Sequence, residues 1–152
     1  MKALSLIEIV HFCPVSKTSF LVRGYHCDAY GHVNNARYLE FLEEGRWAFL
    51  QPAIDEGFFE KMKLLFVVVN ININYRKSIV PNMKLEVSVA SVTYFNSKIL
   101  FKQEILDAKT GVLCSDAEVT FVLLDKDSGR PIAISSEIKT KFDELLKVQS
   151  NV

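Results

Sequence analysis

Cysteine is scarce in this sequence and poorly spaced for cross-linking. Cys13, Cys27 and Cys114 are an odd number with no Cys-x-x-Cys pair, which fits free thiols in a reducing compartment. A surplus of either charge is missing too. Eighteen basic residues balance eighteen acidic ones, so neither nucleic acid nor an anionic membrane is expected as the main partner. The balance leaves room for a local basic patch toward a phosphorylated ligand. No apolar run reaches membrane-spanning length. The first ten residues carry one lysine and a short apolar run broken by Glu8, with no small-residue cleavage site after it. They are expected to be a mature N-terminus, and the protein cytoplasmic. There is no phosphate-binding glycine loop, no Gly-x-Ser-x-Gly elbow, no dinucleotide fingerprint, no internal repeat and no linker.

Apolar residues are plentiful: almost half of the 152 residues, eleven of them Phe. That is enough for one folded domain over 1–152. Residues 18–27 alternate as a strand, with Phe20 and Val22 on one side and Leu21, Arg23 and Tyr25 on the other. From Ala36 to about Leu50 the period becomes helical. Tyr38, Phe41, Leu42, Gly45, Ala48 and Phe49 form an apolar face, and Pro52 marks the end. Glu40, Glu43, Glu44 and Trp47 share the opposite face. Glu43 and Arg46 are spaced to attract, and Trp47 among acids suggests cover by a partner subunit. Residues 51–62 read as a loop or short helix.

The period then becomes two. Over 65–76, Val67, Val69, Ile71, Ile73 and Tyr75 lie on one face and Asn70, Asn72 and Asn74 on the other. Strands follow over 83–95, 98–107 and 112–124, and 130–134 forms a brief pairing. A terminal amphipathic helix covers about 136–148. Strand, long helix, then four strands in a row make an α+β fold with a mostly antiparallel sheet.

Chemistry concentrates in Asp28-Ala-Tyr-Gly-His-Val-Asn-Asn35, just ahead of the long helix. A helix start offers unpaired N–H groups and partial positive charge. A carboxylate aimed there can attack a carbonyl, or activate water against it, while N–H groups hold the oxygen. The plainer reading makes Asp28 a turn or helix cap, and Asn34 and Asn35 cap candidates with substrate contact secondary. His32 either polarises substrate, orients water or holds the loop. A metal site from His26, Cys27, Asp28 and His32 matches no common zinc spacing.

The run Asp28-x-x-Gly31-His32-Val33-Asn34-Asn35-x-x-Tyr38-Leu39-x-Phe41-x-Glu43, with Asn74-Tyr75-Arg76 and Leu85-Glu86-Val87 further on, resembles the hotdog-fold thioesterases. The similarity is to the 4-hydroxybenzoyl-CoA thioesterase-like branch and the related acyl-carrier-protein thioesterases, and it covers about 16–135. It implies an antiparallel sheet wrapped around a long central helix, with Asp28 as catalytic acid, nucleophile or base. It further implies N–H groups around Gly31, His32, Val33 and Asn34 as the oxyanion site, and Glu43 as a family acid. Tyr30 stands where the carrier-protein enzymes often have Asn, which favours the acyl-CoA branch. The implied substrate is an acyl-CoA, or an acyl carrier protein, with the chain lying against Tyr30, Phe58 and Phe59. Arg76, Lys77 and Lys98 are candidates for the coenzyme phosphates. No metal or other cofactor is implied, and a homodimer or homotetramer is. The rival readings are a hotdog hydratase or dehydratase, whose Gly-Asp-x-Asn-Pro-x-His pattern is not met, and a non-catalytic acyl-CoA-binding protein.

Overall fold

The computed structural model describes residues 8–11 and 17–146. Cys13, most of the N-terminal decamer and residues 147–148 of the expected terminal helix lie outside the described residues. The elements run β1 (Glu8–His11), β2 (Lys17–Leu21), a short 3-10 turn (Gly24–His26), α1 (Asn35–Asp55), α2 (Phe58–Lys61), β3 (Leu64–Tyr75), β4 (Lys84–Tyr94), β5 (Ile99–Asp107), β6 (Leu113–Asp125), β7 (Pro131–Ile132) and α3 (Ser136–Leu146). All strands pair antiparallel in one sheet of order β1-β4-β5-β6-β3. β2 shares the outer edge of β4 with β1, and β7 adds to β6. This is the α+β hotdog arrangement that the sequence implies: an antiparallel sheet around a long helix.

Three expectations need correction. The first strand stops at Leu21 rather than running to Cys27. Arg23 N–H donates to His26 Nδ1 (2.9 Å) and the chain coils into the 3-10 turn, so Tyr25 is not a strand residue. The helix does not end near Pro52 but runs through it to Asp55. A proline forfeits one hydrogen bond and crowds the carbonyl four residues back, and here burial of Ala53 in the core holds the last turn in place. In β3 the two faces exchange midway. Val68 opposes Phe121 and Asn70 opposes Thr120, which leaves Val69 as the extra residue of a β-bulge. A bulge shifts the alternation by one. Leu64 and Phe66 therefore share the core side with Ile71 and Ile73, while Val69 is 55% exposed.

The core lies between α1 and the sheet. Tyr38, Phe41, Leu42, Gly45, Phe49, Leu50 and Ala53 are buried along one stripe of the helix, as its three- and four-residue spacing requires. α3 closes one end, where Phe142 meets Phe58, Phe66 and Tyr94, and Phe66 stacks on Phe121 at 4.1 Å. Among the described residues two polar residues, Ser115 and Gln103, have no exposed surface, and Gln103 is the one that meets the helix. Gln103 is 0% exposed; its Nε2 donates to Leu42 O (2.9 Å) and its Oε1 accepts from Arg46 (3.1 Å). Arg46 is therefore drawn into the core, while Glu43 still attracts its charge. It is buried, and burial lowers its pKa, with Glu43 opposing.

Helix and sheet come into close contact at Gly45. A β-carbon there would stand 2.6 Å from Val87 Cγ1 and 3.2 Å from Gln103 Nε2. Gly45→Ala should therefore cost about 1–3 kcal/mol through overpacking, despite alanine's better helix propensity. Urea denaturation beside the parent protein measures it, and an unchanged or raised midpoint would contradict the close approach.

Candidate active site

Asp28 to His32 form a tight hairpin rather than the start of the helix. Asp28 N–H donates to His32 O (2.8 Å), Gly31 N–H donates to Asp28 O (3.1 Å), and Cys27 pairs with Val33 as an antiparallel bridge. Gly31 has φ +75°. A three-residue loop closed by a left-handed residue calls for glycine at that position. Gly31 is thus a conformational requirement of the hairpin.

The hairpin fixes the carboxylate of Asp28 on itself. Oδ1 accepts from Tyr30 N–H (2.8 Å) and, at a long 3.4 Å, from His32 N–H. Oδ2 accepts no hydrogen bond among the described residues. One oxygen anchors the side chain through an Asx-type turn, and the other is left to act. Asp28, Tyr30, Gly31, His32, Asn34 and Asn35 are all exposed in the single chain, Tyr30 by 86%.

Three bonds join the hairpin to the helix and the sheet. Val33 N–H donates to Ile79 O (2.8 Å) and Asn34 N–H to His26 O (2.9 Å). Tyr75 Oη donates to Asn35 O (3.1 Å), and its ring meets Tyr38 edge-on at 4.8 Å. Asn34 is the helix cap, its Oδ1 accepting from Ala36 N–H (3.0 Å). Asn35 is the first helical residue, and no acceptor among the described residues meets its N–H.

This geometry changes which N–H groups are available to an oxyanion. Those of Gly31, Val33 and Asn34, expected to serve there, already donate within the chain. His32 N–H is weakly held, and Asn35 N–H is free among the described residues. A sequence reading sees the motif but not these bonds, because two of the acceptors come from Ile79 and His26, outside it.

The other candidates are placed as follows. His26 makes an edge contact with Phe41 at 5.2 Å, and its pKa is lowered by burial and then by Arg37. Among the described residues no group of three His, Cys, Asp or Glu is positioned to hold a metal. Glu43 is exposed and accepts from Trp47 Nε1 (3.3 Å); Trp47 itself is 52% exposed. Phe58 is buried in the core, and Phe59 lines a cleft between α1 and β3. Tyr30 lines neither that cleft nor the one beside β2. Arg76 is engaged by Asp116, whose carboxyl is held below its usual range by Arg76 and Asn74. Lys98 sits over the Phe95 ring at 4.8 Å. Tyr75 and Ile79 are the site-building residues that the sequence reading missed. Gln103 left a trace in the sequence as a polar residue in register with the inward Ile99, Phe101 and Ile105.

The long helix on an antiparallel sheet is the hotdog fold, with the Asp28 hairpin immediately ahead of the helix start, and comparison with known proteins makes it a thioester hydrolase. The family model described as thioesterase-like superfamily matches residues 22–142, and the chain belongs to that family. It is 39% identical over 132 residues to the long-chain acyl-CoA thioesterase FadM of Escherichia coli K12, covering 86% of this chain and 99% of that protein. It is 31% identical over 133 residues to the acyl-CoA thioesterase YbgC of Haemophilus influenzae, covering 84% and 95%. Among solved structures, YbaW, a probable thioesterase from Escherichia coli, superposes with a TM-score of 0.80 at 37% identity, over 86% of this chain and 98% of that one.

The cap yields a direct check. Asn34→Ala should lower stability by about 1 kcal/mol, the usual worth of an N-cap side chain. The neighbouring Asn35→Ala should stay within about 0.5 kcal/mol, as an exposed substitution normally does. Urea denaturation of the two variants side by side measures the difference, and equal costs would remove Asn34 from the cap.

Proposed function

We propose that this chain hydrolyses acyl-CoA thioesters, with Asp28 performing the chemistry and the N–H of Asn35 receiving the oxyanion. The observation that carries this reading is that, among the described residues, Asp28 Oδ2 has no donor and Asn35 N–H, at the helix start seven residues on, has no acceptor. The relatives' printed names supply acyl-CoA as the substrate class, and one of them specifies long chains.

The reaction consumes one water. Either Oδ2 attacks the thioester carbon and expels the thiolate, leaving a mixed anhydride that water opens, or Oδ2 takes a proton from water as that water attacks. In both routes the carbonyl oxygen gains charge, and the N–H and partial positive charge of the helix start stabilise it. The products are a free acid and a thiol. Asp28 is held by backbone donors at Oδ1, so its position does not depend on substrate. His32 enters through its N–H to Asp28, and Glu43 through its bond to Trp47.

The test is thiol release over a panel of acyl-CoAs, with and without chelator. At least one member should react, and chelator should change nothing. Hydration of an enoyl-CoA with no thiol release would replace this reading with the lyase. Asp28→Asn should lower turnover at least about a hundredfold, the lower end of what a positioned acid or base supplies, with its thermal melt preserved. Asn35→Pro tests the oxyanion donor. It deletes that N–H at the first helical position, where proline is favoured, and Asn34 at φ −59°, ψ 136° already has the backbone a following proline requires. Turnover should fall about 10²–10³-fold while Asn35→Ala keeps it. Near-parent turnover in a folded Asn35→Pro would move the oxyanion elsewhere.

We also propose a homodimer formed along β3. Among the described residues this twelve-residue strand pairs on one side only, and it carries neither charge nor proline, so that edge is a template for another strand. Val69→Lys places a charge on that edge at an exposed position. By light scattering the parent should be a dimer or larger and Val69→Lys should shift to monomer; a monomeric parent would sink the proposal.

A further inference from the structure

His26 lies in neither the Asp28 hairpin nor the long helix, yet both are tied to it. Its carbonyl accepts from the N–H of Asn34, the helix cap (2.9 Å). Its imidazole Nδ1 accepts from Arg23 N–H (2.9 Å), two residues past the end of β2. Arg23 O accepts from His26 N–H in return (3.1 Å), so the turn is closed twice. Just before it, buried Val22 fixes the strand end to the β3–β4 connection. Val22 N–H donates to Met83 O (2.9 Å), and Val22 O accepts from Asn82 N–H (2.9 Å). Just after it, Cys27 opens the hairpin by pairing with Val33. One residue therefore joins the end of β2, the first leg of the hairpin and the start of α1.

The ring is packed as well as bonded. It lies 4.3 Å from the Tyr25 ring and meets Phe41 of α1 edge-on at 5.2 Å. An N–H donates only to a ring nitrogen that carries no proton. The bond from Arg23 therefore selects the neutral imidazole with its proton on Nε2. A second proton, on Nδ1, sets N–H against N–H and breaks the bond. The charged groups around the ring are Arg23 in the turn itself and Arg37 and Glu40 on α1, and Glu40 is already matched by Arg37 at 2.9 Å. Burial first, then Arg37, hold His26 below its ordinary value, with Glu40 opposing and Arg23 assisting. A lowered value favours the neutral ring in the folded chain. The bond is thus complete above about pH 6.5 and is lost as the pH falls through the lowered value.

The labour is divided. The bonds from Tyr30 and His32 N–H to Oδ1 orient the carboxylate within its hairpin. His26 orients the hairpin relative to the helix cap. Resting on the reading of Asp28 as the reacting carboxylate, we propose that His26 is its positioning residue: the unprotonated Nδ1 locks the turn that sets the hairpin against the helix cap, and protonation of His26 releases it. His26 acts here through the backbone of Cys27 and Asp28. A misplacement of about 1 Å at a reacting group costs on the order of 10²-fold in rate, so a turn of three residues is enough to govern turnover.

The experiment measures thiol release from an acyl-CoA that the parent hydrolyses, as kcat and KM from about pH 5 to about pH 8, in the parent, His26→Leu and His26→Asn. Leucine fills the place of the ring and offers no acceptor. Its kcat should fall about 10–100-fold at every pH, with KM within about twofold. Asparagine puts Oδ1 where Nδ1 stood and does not titrate, so it should restore most of that kcat. Protonation of Asp28 is common to all the chains and cancels in the kcat ratio of His26→Asn to parent. That ratio should rise at least about twofold as the pH falls from about 7.5 to about 5. Ring ¹⁵N shifts give a readout without turnover: His26 should be neutral and protonated at Nε2, and should titrate below the ordinary histidine value. A ring protonated at Nδ1, a flat ratio, or parent kcat in a folded His26→Leu would overturn the proposal. Where a thermal melt shows His26→Leu unfolded, the ratio for His26→Asn decides. Absence of thiol release by the parent, or its survival in Asp28→Asn, would instead refute the reading on which this rests, while the ring shifts still report the bond to Arg23.

Discussion

The geometry of this protein depends on how closely α1 can lie on the sheet. Gly45 has no side chain, and Val87 and Gln103 fill the space where one would be. At that contact Gln103 donates to the carbonyl of Leu42 and accepts from Arg46. A wholly buried amide is costly unless its hydrogen bonds are made, and here the helix completes them. The contact therefore fixes not only the distance of α1 from the sheet but also its rotation and its position along its axis.

Those settings pass to the end that carries Asp28. The helix start can meet the hairpin of Asp28 only where Val33 reaches Ile79 and Tyr75 reaches Asn35, and both partners belong to the sheet or its β3–β4 connection. The hairpin adds its own rigidity through Gly31 and the bond from Tyr30 N–H to Asp28 Oδ1. Because these restraints are backbone bonds to Oδ1, they hold the carboxylate and leave Oδ2 without a donor among the described residues. The same helix, two turns on, turns Glu43 and Trp47 outward and Arg46 inward.

Much of the fold was legible because period and punctuation are local. The three- and four-residue spacing from Tyr38 to Phe49 gives the helix, the alternation over 99–105 and 119–123 gives strands, and Asp107 to Gly111 gives the hairpin between β5 and β6. The failures are places where tertiary packing overrides a local rule. Pro52 is a helix breaker in isolation, yet Ala53 is buried beyond it. The alternation of β3 looks continuous from Val67 to Tyr75, yet pairing with β6 inserts Val69 as a bulge and exchanges the faces. Arg46 has the spacing of a surface ion pair, yet the sheet offers it Gln103.

The sequence by itself determined the family and the local shape of its Asp28 motif. Asp28, Gly31 and the run from His32 to Asn35 stand at fixed offsets, and a turn, a left-handed glycine and a helix cap are all short-range consequences of residue type. Only the tertiary structure decided which N–H groups remain available. Gly31 donates within the hairpin, while Val33 and Asn34 donate to Ile79 and His26, acceptors outside the motif, and Asn35 meets no acceptor among the described residues. The physical reason is that a hydrogen bond is a competition among every acceptor within reach. That reach is set by how sheet, loop and helix pack, which no window of sequence contains.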